Sequence, residues 1–376
     1  MDLQARLGVT RIINAAGTYT PVGVSRSSLE VQAACASALG EFLLIDELQE
    51  VVGARLASFA GSEAACFTHC AAAGITLAIA AAMTGNDAAA AAALPQASGL
   101  STKVVLPATH SVNYGHPILT DIRLAGATPV LAGDATRCEQ KHIEEAVSQP
   151  GVAALLLVSS RLVTGEAIDL AQAVASAHRH GVAAIIDGAA QDLRVRELLQ
   201  TGADAVVLSG HKYLASPTAG LVVGSSAFIA AVRLQERGIG RAMKASKEAI
   251  VGVDAALRER NRLDIETWRA EQWAKVEAFV ALAAQLPGLE ARTVPDPVGM
   301  PFSRAHLIVE GGAGPARELS RKLRHGDPPV WVMEHGLDNG ELILELVPLT
   351  ALEIKMIHEK LGHHCVSPGE PLDVRR

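Results

Sequence analysis

The sequence predicts an α/β protein built on a doubly wound, mainly parallel sheet, followed by a smaller C-terminal α+β domain. Two observations carry this. Between residues 104 and 223, continuous aliphatic runs alternate with helical segments, and beyond about residue 262 that alternation stops. Composition agrees: 376 residues exceed one small core, 49% are hydrophobic and only 3% aromatic. Small aliphatic side chains let helices approach a sheet that is buried on both faces.

Residues 1–25 predict an irregular arm, with turn formers over Asn14-Ala15-Ala16-Gly17-Thr18-Tyr19-Thr20-Pro21. Leu29–Ala60 predicts one helix: apolar residues recur at three and four, and Asp46, Glu47, Gln49 and Glu50 face outward. A strand at Ala64–Thr68 leads into an apolar helix that ends at Met83, before Gly85-Asn86-Asp87. The Ala88–Ala93 run is expected to be a loop or a helix extension. Strands follow at Val104–Leu106, Thr128–Leu131, Ala153–Val158, Val182–Ile186, Ala205–Leu208 and Ala219–Val223. Helices between them are expected at Ile118–Ala125, Cys138–Val147, Asp169–His180 and Leu193–Gln200, three of them closed by Gly126, Gly181 and Gly202. The last third predicts helices at Ile265–Gln285, Pro315–Arg324 and Leu352–Leu361, with strands at His306–Glu310, Val330–Met333 and Leu342–Leu346. The expected division is an arm at 1–25, a large domain at 26–261 and a small domain at 262–376.

Net charge is −7 and the isoelectric point about 6.0. That disfavours electrostatic attraction to nucleic acid or anionic membrane. Five cysteines at irregular spacing fit reduced thiols in a cytoplasmic protein better than a disulfide framework, and no metal site is expected. His69 between Cys66 and Cys70 is better read as part of a packed helix start than as a metal ligand. The apolar stretches Ala71–Met83 and Ala88–Leu94 fall short of the roughly 20 residues that span a bilayer.

Ligands of parallel α/β sheets sit beyond the C-terminal strand ends. Asp187-Gly188-Ala189-Ala190-Gln191 follows one strand and Ser209-Gly210-His211-Lys212 the next. His69-Cys70-Ala71 and the helix start to Gly74 follow Thr68, while His110 and Ser159-Ser160-Arg161 follow two others. An acid, a lysine, an anion-binding helix start and an imidazole on one rim suit pyridoxal 5′-phosphate (PLP). Asp187 would keep the pyridine nitrogen protonated, and Lys212 would form the imine and then move protons. Thr68, His69, Cys70 and Ala71 with Ser209 would hold the phosphate. His110 and Ala189 would lie on the two ring faces, with Gln191 and His211 nearby. A lone lysine after a strand is ordinarily solvated, and a lone aspartate there is ordinarily a cap. The joint pattern carries the reading, and 25 residues between Asp187 and Lys212 make one crossover unit.

Those segments, with Arg11–Thr20 and Gly240-Arg241-Ala242-Met243-Lys244-Ala245-Ser246-Lys247-Glu248, resemble the SelA-like family of fold-type I PLP-dependent enzymes. The family includes selenocysteine synthase and D-glucosaminate-6-phosphate ammonia-lyase, and the resemblance covers roughly residues 8 to 360. It implies that Lys212 is the Schiff-base lysine, that Asp187 pairs with the pyridine nitrogen, and that Ser209 and the Thr68–Ala72 turn hold the phosphate. It implies active sites at the interfaces of a homodimer or higher homo-oligomer. Arg241, Lys244 and Lys247 would then meet a neighbour's cofactor phosphate or an acidic group on the substrate. A core beginning near residue 8 leads us to expect no tRNA-gripping N-terminal domain. The Asn14–Thr20 and Lys244–Glu248 stretches look more like the ammonia-lyase branch.

The expected activity is α,β-elimination on a small polar amino acid, hydroxylated or of sugar-acid type, giving a 2-keto acid and ammonia. His211, Tyr213 or His110 is expected to supply the acid for the departing hydroxyl. Transamination, racemisation or retro-aldol cleavage would use the same residues. A partner-binding protein without catalysis and a tRNA-dependent selenium transferase are further alternatives.

Overall fold

A computed structural model describes residues 3–365; residues 366–376, assigned above to the C-terminal domain, lie outside the described residues. The chain divides into two compact units, Ser27–Arg262 and a second formed by Met1–Arg26 with Leu263–Arg376.

In the larger unit, among the described residues, seven strands form one sheet. Its order across the sheet is Ala64–Thr68, Gly220–Gly224, Ala205–Ser209, Ala183–Asp187, Val152–Val158, Lys103–Pro107 and Thr128–Ala132. All neighbours run parallel except Gly220–Gly224, which is antiparallel to both strands beside it. The parallel strands therefore end on one edge. Side chains alternate between faces: Val105, Leu155, Leu157, Ile186, Val206 and Leu208 join one core. Val104, Leu106, Leu156, Ile185 and Val207 join the opposite one. Leu155, Leu156 and Ile185 have no exposure, which explains the uninterrupted aliphatic runs.

The Ala71–Thr84 helix covers the second face. Its close approach depends on Gly74, where a Cβ would stand 2.8 Å from Val207 Cγ1. The expected single helix over Leu29–Ala60 is two, Leu29–Leu39 and Ile45–Ala60. Gly40 ends the first, and Asp46 and Glu47 lie in the first turn of the second, where acids suit the helix dipole. The apolar spacing runs through this break, which is why periodicity alone missed it. Ala88–Ala93 is a separate short helix, started by the Asp87 carboxylate accepting from Ala89 and Ala90 N–H. Helices at Ser226–Leu234 and Lys247–Arg262 were not foreseen.

In the other unit, Leu289–Pro295, Ser303–Val309 and Glu341–Leu344 form an antiparallel sheet. Ile265–Ala283, Ala313–Arg324 and Ala351–His364 are helices. The stretch expected to be an irregular arm contributes Ile13–Ala15, which pairs in parallel with Val330–Val332. Among the described residues, no helix is long and apolar enough to cross a membrane.

Candidate active site

Asp187 is the last residue of its strand, in register with Val158 on one side and Val207 on the other. It is buried, and its Oδ1 accepts the Ala189 N–H at 3.0 Å, which leaves Oδ2 for a ligand. Burial pushes its carboxyl above the usual range, against the pull of the Lys212 ammonium and the Ala189 N–H. The same desolvation pushes the half-buried Lys212 below its usual range; Asp187 opposes this and Arg161 adds to it.

Lys212 lies on a tightly tied turn. Gly210 N–H donates to Ala219 O at 2.8 Å, Ser216 N–H to Gly210 O at 3.0 Å, and Ala215 N–H to Lys212 O at 3.1 Å. Ala215 has φ 56°, a left-handed conformation that costs a non-glycine residue energy. The turn is held from outside by Arg260, whose Nη2 donates to Tyr213 O at 2.5 Å and whose Nη1 lies 3.1 Å from Asp192 Oδ2. Asp192 itself belongs to the loop that follows Asp187. Ser209 N–H donates to Ala189 O at 3.0 Å, so the two loops are joined directly as well.

His110 is buried, and its Nδ1 accepts the Val158 N–H at 2.9 Å. That contact crosses the boundary between Lys103–Pro107 and Val152–Val158, where the strand order reverses, the switch point expected to bind ligands. Burial lowers His110 to about 4. His211 is also lowered to about 4, by burial and then by Lys212 and His69; its Nδ1 is 3.2 Å from Ser209 Oγ.

At the Thr68–Ala71 turn, Thr68 Oγ1 donates to Cys70 O at 2.9 Å and His69 N–H to Met243 O at 2.7 Å. Cys70 starts the Ala71–Thr84 helix without a side-chain cap, and the first intrahelical bond is Gly74 N–H to Cys70 O at 3.0 Å. The N–H groups of Ala71, Ala72 and Ala73 therefore point out of the helix end with its positive dipole. Gly220 floors this turn: a Cβ there would stand 2.2 Å from both Cys70 O and Thr68 Oγ1.

The structure thus brings Asp187, Ala189, Ser209, His211 and Lys212 together and sets His110 and the Thr68–Ala71 turn on the same sheet edge. Gln191 is buried and accepts from Arg194 Nη1 at 3.1 Å. The basic stretch packs on the larger unit's own turn through Met243 O and a Thr68–Lys244 bridge. Arg241, Lys244 and Lys247 line a cleft of about 760 Å³ with Leu44, Gln49 and Glu236. Lys247, however, turns to the backbone carbonyls of Leu39 and Glu41, with its ammonium 5.9 Å from the Phe42 ring centroid. Sequence reasoning gave no role to Asp192, Arg260, Tyr114, Asp121 or His116; the turn formers Asn113-Tyr114-Gly115-His116-Pro117 shortly after His110 were the available signal for the last three. Among the described residues, no group of acids, histidines and cysteines is placed to hold a metal.

The fold is that of the fold-type I class of PLP-dependent enzymes. The family model described as SelA, L-seryl-tRNA selenium transferase, matches residues 46–280, and the chain belongs to that family. It is 33% identical over 358 residues to a D-glucosaminate-6-phosphate ammonia lyase of Salmonella typhimurium (strain 14028s / SGSC 2262), covering 94% of this chain and 95% of that protein. It is 34% identical over 341 residues to a 5′-C-glycyluridine monooxygenase-decarboxylase of a Streptomyces species, covering 89% and 85%. A solved structure of D-glucosaminate-6-phosphate ammonia-lyase superimposes with a TM-score of 0.85 at 31% identity, covering 97% of this chain and 98% of that one.

Proposed function

We propose that the protein is a PLP-dependent lyase that eliminates a β-hydroxyl from a small polar amino acid of sugar-acid type, giving a 2-keto acid and ammonia. The likeness to D-glucosaminate-6-phosphate ammonia lyase carries the elimination, and Asp187 and Lys212 on joined loops at the strand ends support the cofactor. The donor set fits the cofactor: a free carboxylate oxygen on Asp187, an amine on Lys212, the uncapped helix start at Ala71, and the Ser209 hydroxyl. Bound there, PLP supplies an electron sink for the pair released with the substrate's α proton.

The chain's own residues do the rest. Asp187 Oδ2 holds a proton at the pyridine nitrogen, while Ala189 N–H fixes the carboxylate's direction. Lys212 Nζ would hold the cofactor and take the substrate's α proton; burial pushes its pKa down, the direction that favours such a base. Thr68, His69, Cys70 and Ala71 form the phosphate turn, with Gly220 allowing its close approach. His110, Ala189, His211 and Gln191 would hold the cofactor ring. Arg161 offers a cation for the substrate carboxylate. Arg241 and Lys244, with Lys247 beside them, offer a cleft for a further anionic group. The released enamine hydrolyses to the keto acid and ammonia.

We infer a homodimer or higher homo-oligomer, supported by the corner at Leu39 and Phe42–Ile45. Phe42 there is fully exposed and Leu44 is 75% exposed, more than an isolated surface tolerates at one spot. Cytoplasmic location fits the five free cysteines and a small-molecule substrate rather than nucleic acid fits the net charge of −7.

The test is the visible absorption spectrum of the PLP-loaded protein with and without borohydride, beside Lys212→Ala, followed by product analysis. A band lost on reduction, an adduct mapped to Lys212, and ammonia with a 2-keto acid from a hydroxylated amino acid are expected. A protein that takes up no PLP overturns the reading. The 34% identical monooxygenase-decarboxylase favours a second one, oxidative decarboxylation of an amino acid. Oxygen uptake with carbon dioxide release would select it over the lyase.

A further inference from the structure

The proposed elimination needs an acid at the departing oxygen, and the two site histidines are poorly suited. His110 and His211 are both held near pKa 4, so each is neutral at physiological pH. Giving up the remaining ring proton would leave an imidazolate.

A second group of titratable side chains lies beside the site without a task. After His110 the chain folds back: Val112 N–H donates to His110 O at 2.8 Å, Asn113 bridges to Pro117, and Ile118 N–H donates to Val112 O at 3.0 Å. Within this hairpin the Tyr114 hydroxyl is hydrogen-bonded to Asp121 Oδ2. The other oxygen, Oδ1, is 2.9 Å from His116 Nε2. The Tyr114 and His116 rings meet edge to face with centroids 4.8 Å apart. Thr76 Oγ1, on the helix that begins at the phosphate turn, donates to Asp121 O at 3.1 Å and fixes the group to that helix.

The group has an outer and an inner end. The His116 side chain is 40% exposed and that of Asp121 is 1% exposed. Burial and Asp121 raise the Tyr114 phenol, and Asp187 and Cys70 add to this in smaller measure. Asp121 likewise raises Asp187. Burial lifts the Asp121 carboxyl, so it keeps a proton more readily than a surface aspartate.

We propose that His116, Asp121 and Tyr114 form a proton path from solvent to the departing β-oxygen of the substrate. This rests on the elimination reading above. As the electrons of the Cα–H bond form the Cα–Cβ double bond, the C–O bond breaks and its pair stays on oxygen. The Tyr114 Oη proton joins that oxygen, which leaves as water. The proton on Asp121 Oδ2 passes to Tyr114 Oη, the His116 imidazolium gives its Nε2 proton to Asp121 Oδ1 and becomes neutral, solvent reprotonates that ring, and turning of the Asp121 carboxyl brings its proton back beside Tyr114. Tyr114 carries one proton before and after, so no charge rests on the phenol.

The test compares the best β-hydroxy amino acid from the product screen with its β-chloro analogue, since chloride departs without a proton. On the PLP-loaded enzyme, Tyr114→Phe should slow hydroxyl elimination by about 10²–10⁴-fold, the usual contribution of a general acid, and leave chloride elimination unchanged. PLP uptake, read by absorbance titration, should match the wild-type protein. His116→Gln, at the exposed end, should slow only the hydroxyl substrate and keeps the test open should a buried variant fold poorly. Equal slowing of both substrates, or undiminished hydroxyl elimination in Tyr114→Phe, would overturn the path while leaving the lyase reading intact. A wild-type enzyme that eliminates neither group would overturn the lyase reading, and the path with it.

Discussion

The backbone N–H of Val158 donates to Nδ1 of His110 at 2.9 Å, so the neutral ring carries its proton on Nε2. A two-bond proton–nitrogen NMR correlation should show that tautomer and no titration of His110 between pH 5 and 8. The unfolded chain takes up this proton near pH 6.5 and the folded chain only near 4. Between those values the unfolded state binds more protons, so stability falls as the pH drops. For His110 the loss is at most about 3 kcal/mol. Replacing it with Phe should flatten urea-unfolding stability over that window; an unchanged slope would count against the assignment.

Gly220 has no room for a side chain under the Thr68–Cys70 turn, where a Cβ would lie 2.2 Å from two oxygens. Gly220→Ala should displace the turn and weaken PLP binding by tenfold or more, about 1.4 kcal/mol. Absorbance titration with PLP measures it. Gly8→Ala, in open space though at positive φ, should leave PLP affinity unchanged.

Arg260 joins the two functional loops through Tyr213 O and Asp192. Asp192 is buried, and its carboxyl is pushed up by burial and pulled back by Arg260. Removing the guanidinium leaves a buried acid without its cation, so Arg260→Ala should destabilise the fold by about 3–5 kcal/mol. Adding Asp192→Asn should recover part of that loss. Urea unfolding of the four proteins gives the coupling, and strict additivity would refute it.

If the apolar corner forms the subunit contact, Phe42→Glu with Leu44→Glu should yield monomers in sedimentation velocity, with the far-ultraviolet circular dichroism of the wild type. A double variant of unchanged mass would direct the search for the interface elsewhere.

Much of the site was legible because it lies at the ends of aliphatic runs. Asp187 and Ser209 each close such a run, and an α/β alternation fixes which edge they share. Other features depend on partners far away in sequence. Nothing local reveals that Gly220–Gly224 runs antiparallel, since strand direction is set by the neighbours it finds. The Leu29–Ala60 break was hidden because the apolar spacing continues across Gly40–Leu44. Lys247 looked equivalent to Arg241 and Lys244, but carbonyls at Leu39 and Glu41 capture it. Tyr114 and Asp121 are joined by a hairpin that has no period to detect.

The antiparallel Gly220–Gly224 strand also constrains the order in which the molecule can mature. Ala64–Thr68 leaves the ribosome early, yet its partner in the sheet is made about 150 residues later. Until then the Thr68–Ala71 turn lacks both its floor at Gly220 and its tie to Met243. A nascent chain released before residue 224 would hold Asp187 and Lys212 but not the finished turn proposed to seat the cofactor phosphate. Such a late, sequence-distant pairing is slow to close, so PLP capture should be a post-synthetic event, and incomplete chains should present an unpaired edge for chaperones to shield.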